Sequence, residues 1–137
     1  MTTFGSLSFD VPEGFSDQSQ VVLLGPVKGG FQENLFITKD TDAKEQDLES
    51  YVDEQIASFH VDTEGYQLIE RDERVVGGSP ALSLEHRFDS EGVSIAQLQV
   101  YVKKEDGIEV FAFTHHADHF SIAKKRAGAF LKSVSFV

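Results

Sequence analysis

The sequence predicts an α+β domain: a mostly antiparallel, twisted sheet with two helices packed on it. Three observations lead there. Leu48, Tyr51, Val52, Ile56 and Phe59 recur at helical spacing and form one apolar stripe. Downstream of Gly65, apolar-rich segments follow one another across short turns at Gly77-Gly78, Ser90-Glu91-Gly92 and Asp106-Gly107, the pattern of an antiparallel meander. A second helical stripe, Phe120, Ala123, Ala127, Phe130 and Leu131, closes the chain. The order strands, helix, strands, helix places helices on an antiparallel sheet.

The elements can be justified in turn. Leu7, Phe9 and Val11 alternate with other residues and stop at Pro12-Glu13-Gly14, which reads as a short first strand. Asp17 to Leu24 reads as a second strand, polar at its start and apolar from Val21. Gly25-Pro26 and Gly29-Gly30 mark a loop. Gln32 to Lys39 is the third strand, with Leu35 and Ile37 on one face and Asn34, Phe36 and Thr38 on the other.

Seven acids lie between Asp40 and Glu54. Those before or at the opening of the first helix suit its N-terminal dipole. They do not make a calcium loop, because the sixth residue from Asp40 is Glu45, where that loop needs glycine. The meander then runs Tyr66 to Val76, Ala81 to Phe88, Val93 to Lys103 and Ile108 to Thr114. Asp118 is positioned to cap a helix from His119 to Lys132, and Val134 with Phe136 reads as a last short strand.

Polar groups on otherwise apolar faces are the main functional signal. Gln55 falls inside the first helix's stripe, and a primary amide there needs hydrogen-bond partners. On the strand from Val93, the row Ala96, Leu98, Val100, Val102 is clean core. The opposite row, Val93, Ile95, Gln97, Gln99, Tyr101, carries amides in its middle. Such a face fits either internally satisfied groups or a surface that waits for another chain.

Composition narrows the classes. At 137 residues the chain is long enough for one domain and too short for two. A formal net charge of -11 disfavours nucleic acid and anionic membrane surfaces. With no cysteine there is no thiol nucleophile or thiolate metal site. The start, MTTFGSLSFDVPEG, lacks a basic segment followed by an apolar core, and no apolar run is long enough for a bilayer. Cytoplasmic location without stable membrane insertion is the expectation. His115, His116 and His119 are the one histidine cluster. Strand alternation sends the first two to opposite faces, and no metal-ligand motif is present, so no metal is expected. No nucleophile elbow, phosphate loop or placed carboxylate pair appears, so neither an enzyme nor a cofactor is expected.

The segments LSFDVPEGFSDQSQVVLL, ENLFITKD, LESYVDEQIASF, GYQLIERDERVVGGSPALSLEHRF and QLQVYV resemble the DcrB-related family. The resemblance covers nearly all of residues 1–137 as a single domain. It implies a PsbP-like α/β/α sandwich. Two branches matter. The chain looks closest to the cytosolic Eag chaperones of bacterial type VI secretion. As homodimers, those proteins shield the N-terminal transmembrane helices of a secreted effector and help load it on the secretion spike. The alternative is an envelope, periplasmic DcrB-like protein of unknown binding function, whose relatives carry a signal peptide and lipidation cysteine. Carried onto this sequence, the effector-helix contacts implied by the resemblance fall on Gln20, Val22, Asn34, Thr38, Gln55 and Gln99. Gln20 departs from the pattern, which has an aliphatic residue there.

Overall fold

A computed structural model describes residues 2–4 and 6–136. Its centre is a six-stranded antiparallel sheet in the order β3-β4-β8-β7-β6-β5. The strands are β3 (Val21–Lys28), β4 (Phe31–Asp40), β5 (Gln67–Val76), β6 (Ser79–Ser90), β7 (Val93–Lys104) and β8 (Gly107–His116). Helices α1 (Leu48–Asp62) and α2 (Phe120–Ser133) lie on opposite faces. The α+β class and the antiparallel sheet are as the sequence predicts.

Each face owes its core to strand alternation. Ala96, Leu98, Val100 and Val102 of β7, none more than 2% exposed, join Phe111 and Phe113 of β8 beneath Phe120, Ala123, Ala127 and Leu131 of α2. On the other face Leu82, Leu84, Tyr101 and Ile108 pack against Tyr51 and Val52 of α1, with Leu48 and Ile56 at the margin. Asp47 caps α1: its carboxylate accepts from the Ser50 backbone N–H at 2.8 Å and from the Ser50 hydroxyl at 2.9 Å.

Several local expectations need correction. Residues 17–20 are not strand. The Asp17 carboxylate accepts from the Ser19 backbone N–H at 2.9 Å, and this local turn competes with sheet pairing. The Gly25-Pro26 pair is no loop but lies inside β3, where the register with β4 shifts between Leu24 and Val27. Proline is tolerated there because β3 is an edge strand and the site is a bulge. The opening strand, β2 (Leu7–Phe9), pairs with β1 (Thr2–Phe4) in a separate two-stranded sheet. Asp118 does not cap α2. A 3₁₀ turn, Ala117–His119, intervenes, and within it the Asp118 backbone N–H donates to His116 Nδ1 at 3.1 Å.

Val134 and Phe136 form no strand among the described residues. They pack against the α2-side core instead. The Phe136 ring lies against Gly77, where a Cβ would fall 2.6 Å from Phe136 Cδ2, and Gly77 also has a φ of +57°. Both facts require glycine in that turn.

Candidate functional site

The register across the sheet aligns three rows of side chains on the α1 face. One row runs Leu24, Asn34, Thr114, Gln97, His86. The next runs Val22, Phe36, Ala112, Gln99, Leu84. The third runs Thr38, Val110, Tyr101, Leu82. Helix α1 covers the β6–β7 end of these rows. Their β3–β4 end is uncovered: Val22 is 44% exposed, Leu24 64% and Phe36 41%. Those exposures mark an apolar floor with half-buried amides where it meets the helix.

Two contacts orient the helix flanks. Arg71 Nη1 of β5 lies 2.5 Å from Asp53 Oδ1, so that side of α1 faces β5. The Tyr51 hydroxyl donates to Asp40 Oδ2 at 3.0 Å, at the end of β4, so the opposite side faces β8 and β4. Gln55, one turn after Tyr51, stands on the latter flank. It is half-buried and has no side-chain hydrogen bond among the described residues.

Of the six residues singled out from the sequence, Val22, Asn34, Thr38 and Gln99 therefore share one sheet face, and Gln55 borders it. Gln20 is exposed and lies one residue before β3. Asn34 donates to the Gln32 carbonyl at 3.2 Å. Gln99 and Gln55 are not hydrogen-bonded to each other among the described residues.

Gln99 belongs to a chain of polar groups along the sheet. Tyr101 Oη donates to Gln99 Oε1, and Gln99 Nε2 donates to Gln97 Oε1 at 2.9 Å. His86 Nε2 lies 2.7 Å from the same Gln97 oxygen, while Gln97 Nε2 donates to Thr114 Oγ1 at 2.9 Å. His86 Nδ1 meets the Tyr66 hydroxyl at 3.2 Å. His86 is completely buried, with Phe59 and Tyr66 centroids 4.9 and 5.1 Å away. Burial pushes its pKa down, opposed by the Gln97 bond, and burial raises the Tyr66 hydroxyl. Sequence reading placed Phe36 on this face without singling it out, and missed Leu24 and Ala112 in the floor and His86 in the network. Period-two alternation from Leu82 and Leu84 was the available signal for His86.

Just past Thr114, at the end of β8, His119 lies 5.7 Å, centroid to centroid, from both His115 and His116. The rings thus gather more closely than alternation suggests, because His119 leaves the 3₁₀ turn between them. His115 Nδ1 accepts from the His116 backbone N–H at 2.8 Å, and its Nε2 is 3.9 Å from Glu33 Oε1. Glu33 is itself paired with Arg126. No group of three or more residues among those described is disposed to hold a metal. A cleft of about 550 Å³ lies between Leu48, Arg74 and Leu82, and another of about 270 Å³ lies under Leu23 and Phe130. Among the described residues, no helix is long and apolar enough to cross a membrane.

Comparison with known proteins agrees with this architecture. A Pseudomonas aeruginosa protein of unknown function, PA94, superposes with a TM-score of 0.84 at 17% identity, over 93% of this chain and 89% of that one. LpqN of Mycobacterium tuberculosis, involved in cell envelope biogenesis, gives 0.50 at 12% identity over 90% and 86%. Cyanobacterial PsbP (CyanoP) from Synechocystis sp. PCC 6803 gives 0.45 at 15% identity over 88% and 93%, an overlap too slight to argue from. At these identities the likeness is one of fold. No curated protein matches the sequence. The family model for DcrB matches residues 7–133, nearly the whole chain, and the protein is therefore a member of the DcrB family.

Proposed function

We propose that this DcrB-family protein is a cytosolic adaptor-chaperone. It binds and shields the N-terminal transmembrane helices of a type VI secretion effector and helps load that effector on the secretion spike. The observation that carries this reading is the half-covered sheet face. Val22, Leu24 and Phe36 offer an apolar floor, and Gln55, Gln97, Gln99 and Asn34 place amides along it. An apolar helix taken from a membrane needs its greasy side covered. It also needs hydrogen-bonding partners wherever small residues bare its backbone. A net charge of -11 keeps such a surface soluble.

The homodimer belongs to the same proposal. The outer edge of β3 is unpaired among the described residues, and Val21 to Leu24 are exposed on both faces of that edge. Antiparallel pairing of two β3 strands would join the two sheets and place the two open faces side by side.

The test is co-expression with the N-terminal fragment of an effector encoded beside this gene. A stable complex is expected, weakened about tenfold or more by Val22→Asp, because a carboxylate on the floor would be desolvated by the bound helix. Gln55→Leu is the cleaner amide substitution. Gln99→Leu would also deprive the buried Tyr101 hydroxyl of its acceptor. Unchanged binding in both Val22→Asp and Gln55→Leu would rule out this face. A signal peptide with a lipidation site in the gene upstream of residue 1 would favour an envelope role instead.

A further inference from the structure

The amide ladder can exist in two polarities. In the observed one, Gln97 Oε1 accepts from both His86 Nε2 and Gln99 Nε2, and Gln99 Oε1 accepts from Tyr101. Each glutamine then commits one N–H, and one N–H on each has no protein partner among the described residues. Turning both amides over would reverse this. Gln97 would donate to His86 and Gln99, its oxygen would be left with spare acceptor capacity, and the buried Tyr101 O–H would lose its acceptor. The first state is selected from both ends, by the Tyr101 O–H that needs the Gln99 oxygen and by the ring nitrogen opposite Gln97. If His86 Nε2 carries the proton, Gln97 must present oxygen to it, and Nδ1 must then accept from Tyr66. Phe59, Tyr66 and Phe88 surround the ring, so its orientation is held by packing.

We propose that His86 is a positioning residue that fixes the polarity of the Gln97–Gln99 ladder, leaving N–H donors for the open face, so that this face selects apolar helices that expose hydrogen-bond acceptors. Such helices are those whose backbone carbonyls are bared by glycine or whose faces carry serine or threonine oxygens. The selection rests on the helix-binding reading above. The fixed polarity is a property of the protein alone.

Two readouts separate them. Nitrogen chemical shifts of the His86 ring in the intact protein near neutral pH should show Nε2 protonated and Nδ1 bare. An Nδ1-protonated ring would overturn the polarity assignment. For selection, two synthetic Leu-rich helices of about 20 residues, a length that spans a bilayer, are offered in mild detergent and followed by fluorescence anisotropy. One carries a central Gly-x-x-x-Gly with a serine, and in the other those residues are leucine.

The wild-type protein should prefer the glycine–serine helix roughly fivefold to tenfold, the scale of one or two net hydrogen bonds. His86→Phe should remove the preference while still binding both helices. His86→Gln, which can set an amide N–H near the place of Nε2–H, should restore it. Melting curves identify any variant that fails to fold, and His86→Asn then serves as a second donor-displacing change, expected to lose the preference. Equal wild-type binding of both helices would overturn the selection and leave the shielding function standing. Binding of neither would overturn both. A preference that survives in a folded His86→Phe would remove His86 from the role.

Discussion

Glu85 is the side chain whose partner matters most to the α2 face. It is 8% exposed and sits opposite Leu98 on β7, with Lys124 of α2 placing Nζ 2.5 Å from Oε1. That approach lies off the hydrogen-bond direction, so this oxygen has an ion pair but no aligned donor. Lys124 is itself partly exposed, which discounts the pair's net worth. Removing one partner still leaves the buried carboxylate uncompensated. Lys124→Met should lower unfolding free energy by about 2 kcal/mol in urea melts, and adding Glu85→Gln should recover part of it. His86 gives a pH prediction with a definite sign. Burial holds its folded pKa below the ordinary 6.5, so the unfolded chain binds the proton more readily. Its contribution to stability is fully present above that value. It is lost as pH falls from there through the depressed folded value. His115, also lowered by burial, adds in the same direction. Denaturant melts at stepped pH should therefore show a stability loss on acidification that is shallower in His86→Phe. At this scale the sequence was legible where alternation decides: Ala96 to Val102 went inward, and Asn34, Phe36 and Thr38 shared a face. Alternation from Leu82 and Leu84 could have turned His86 inward, but nothing local shows that Tyr66 and Gln97 will meet it.

Helix α1 is the element that decides how much of the sheet is open. Its start is fixed by Asp47, whose carboxylate is held below the usual range by its bonds to Ser50. Asp47→Ala should lower the midpoint of thermal or urea unfolding, as loss of an N-cap does. The stripe from Leu48 to Phe59 was readable because 3.6-residue periodicity is local. Which strands the stripe would cover was not readable. That depends on contacts distant in sequence, Asp53 with Arg71 and Tyr51 with Asp40. The error at β3 has a related origin. Gly25-Pro26 reads as a turn unless the strand is known to be an edge.

For the whole molecule, the open face and the outer edge of β3 are adjacent but separable. Val22 and Leu24 point to the side of α1, while Leu23 pairs with Leu35 on the side of α2. Leu23→Lys should therefore reduce a dimer to a single chain in light scattering while leaving groove residues in place. Val22→Asp should impair helix capture. If Leu23→Lys leaves the solution mass at twice that of one chain, the β3 edge is not the dimer contact. The same edge has a further consequence. Four successive apolar residues on a free strand are a template for open-ended stacking of chains into cross-β fibrils. Pro26 lacks the amide hydrogen that such stacking requires, and the neighbouring register shift bends the strand away from a flat ladder. Pairing is thereby confined to a short segment, which suits a closed pair and not a growing filament. Pro26→Thr should shorten the lag time for thioflavin-positive aggregates at high concentration, so that in this protein one proline guards storage life as much as shape.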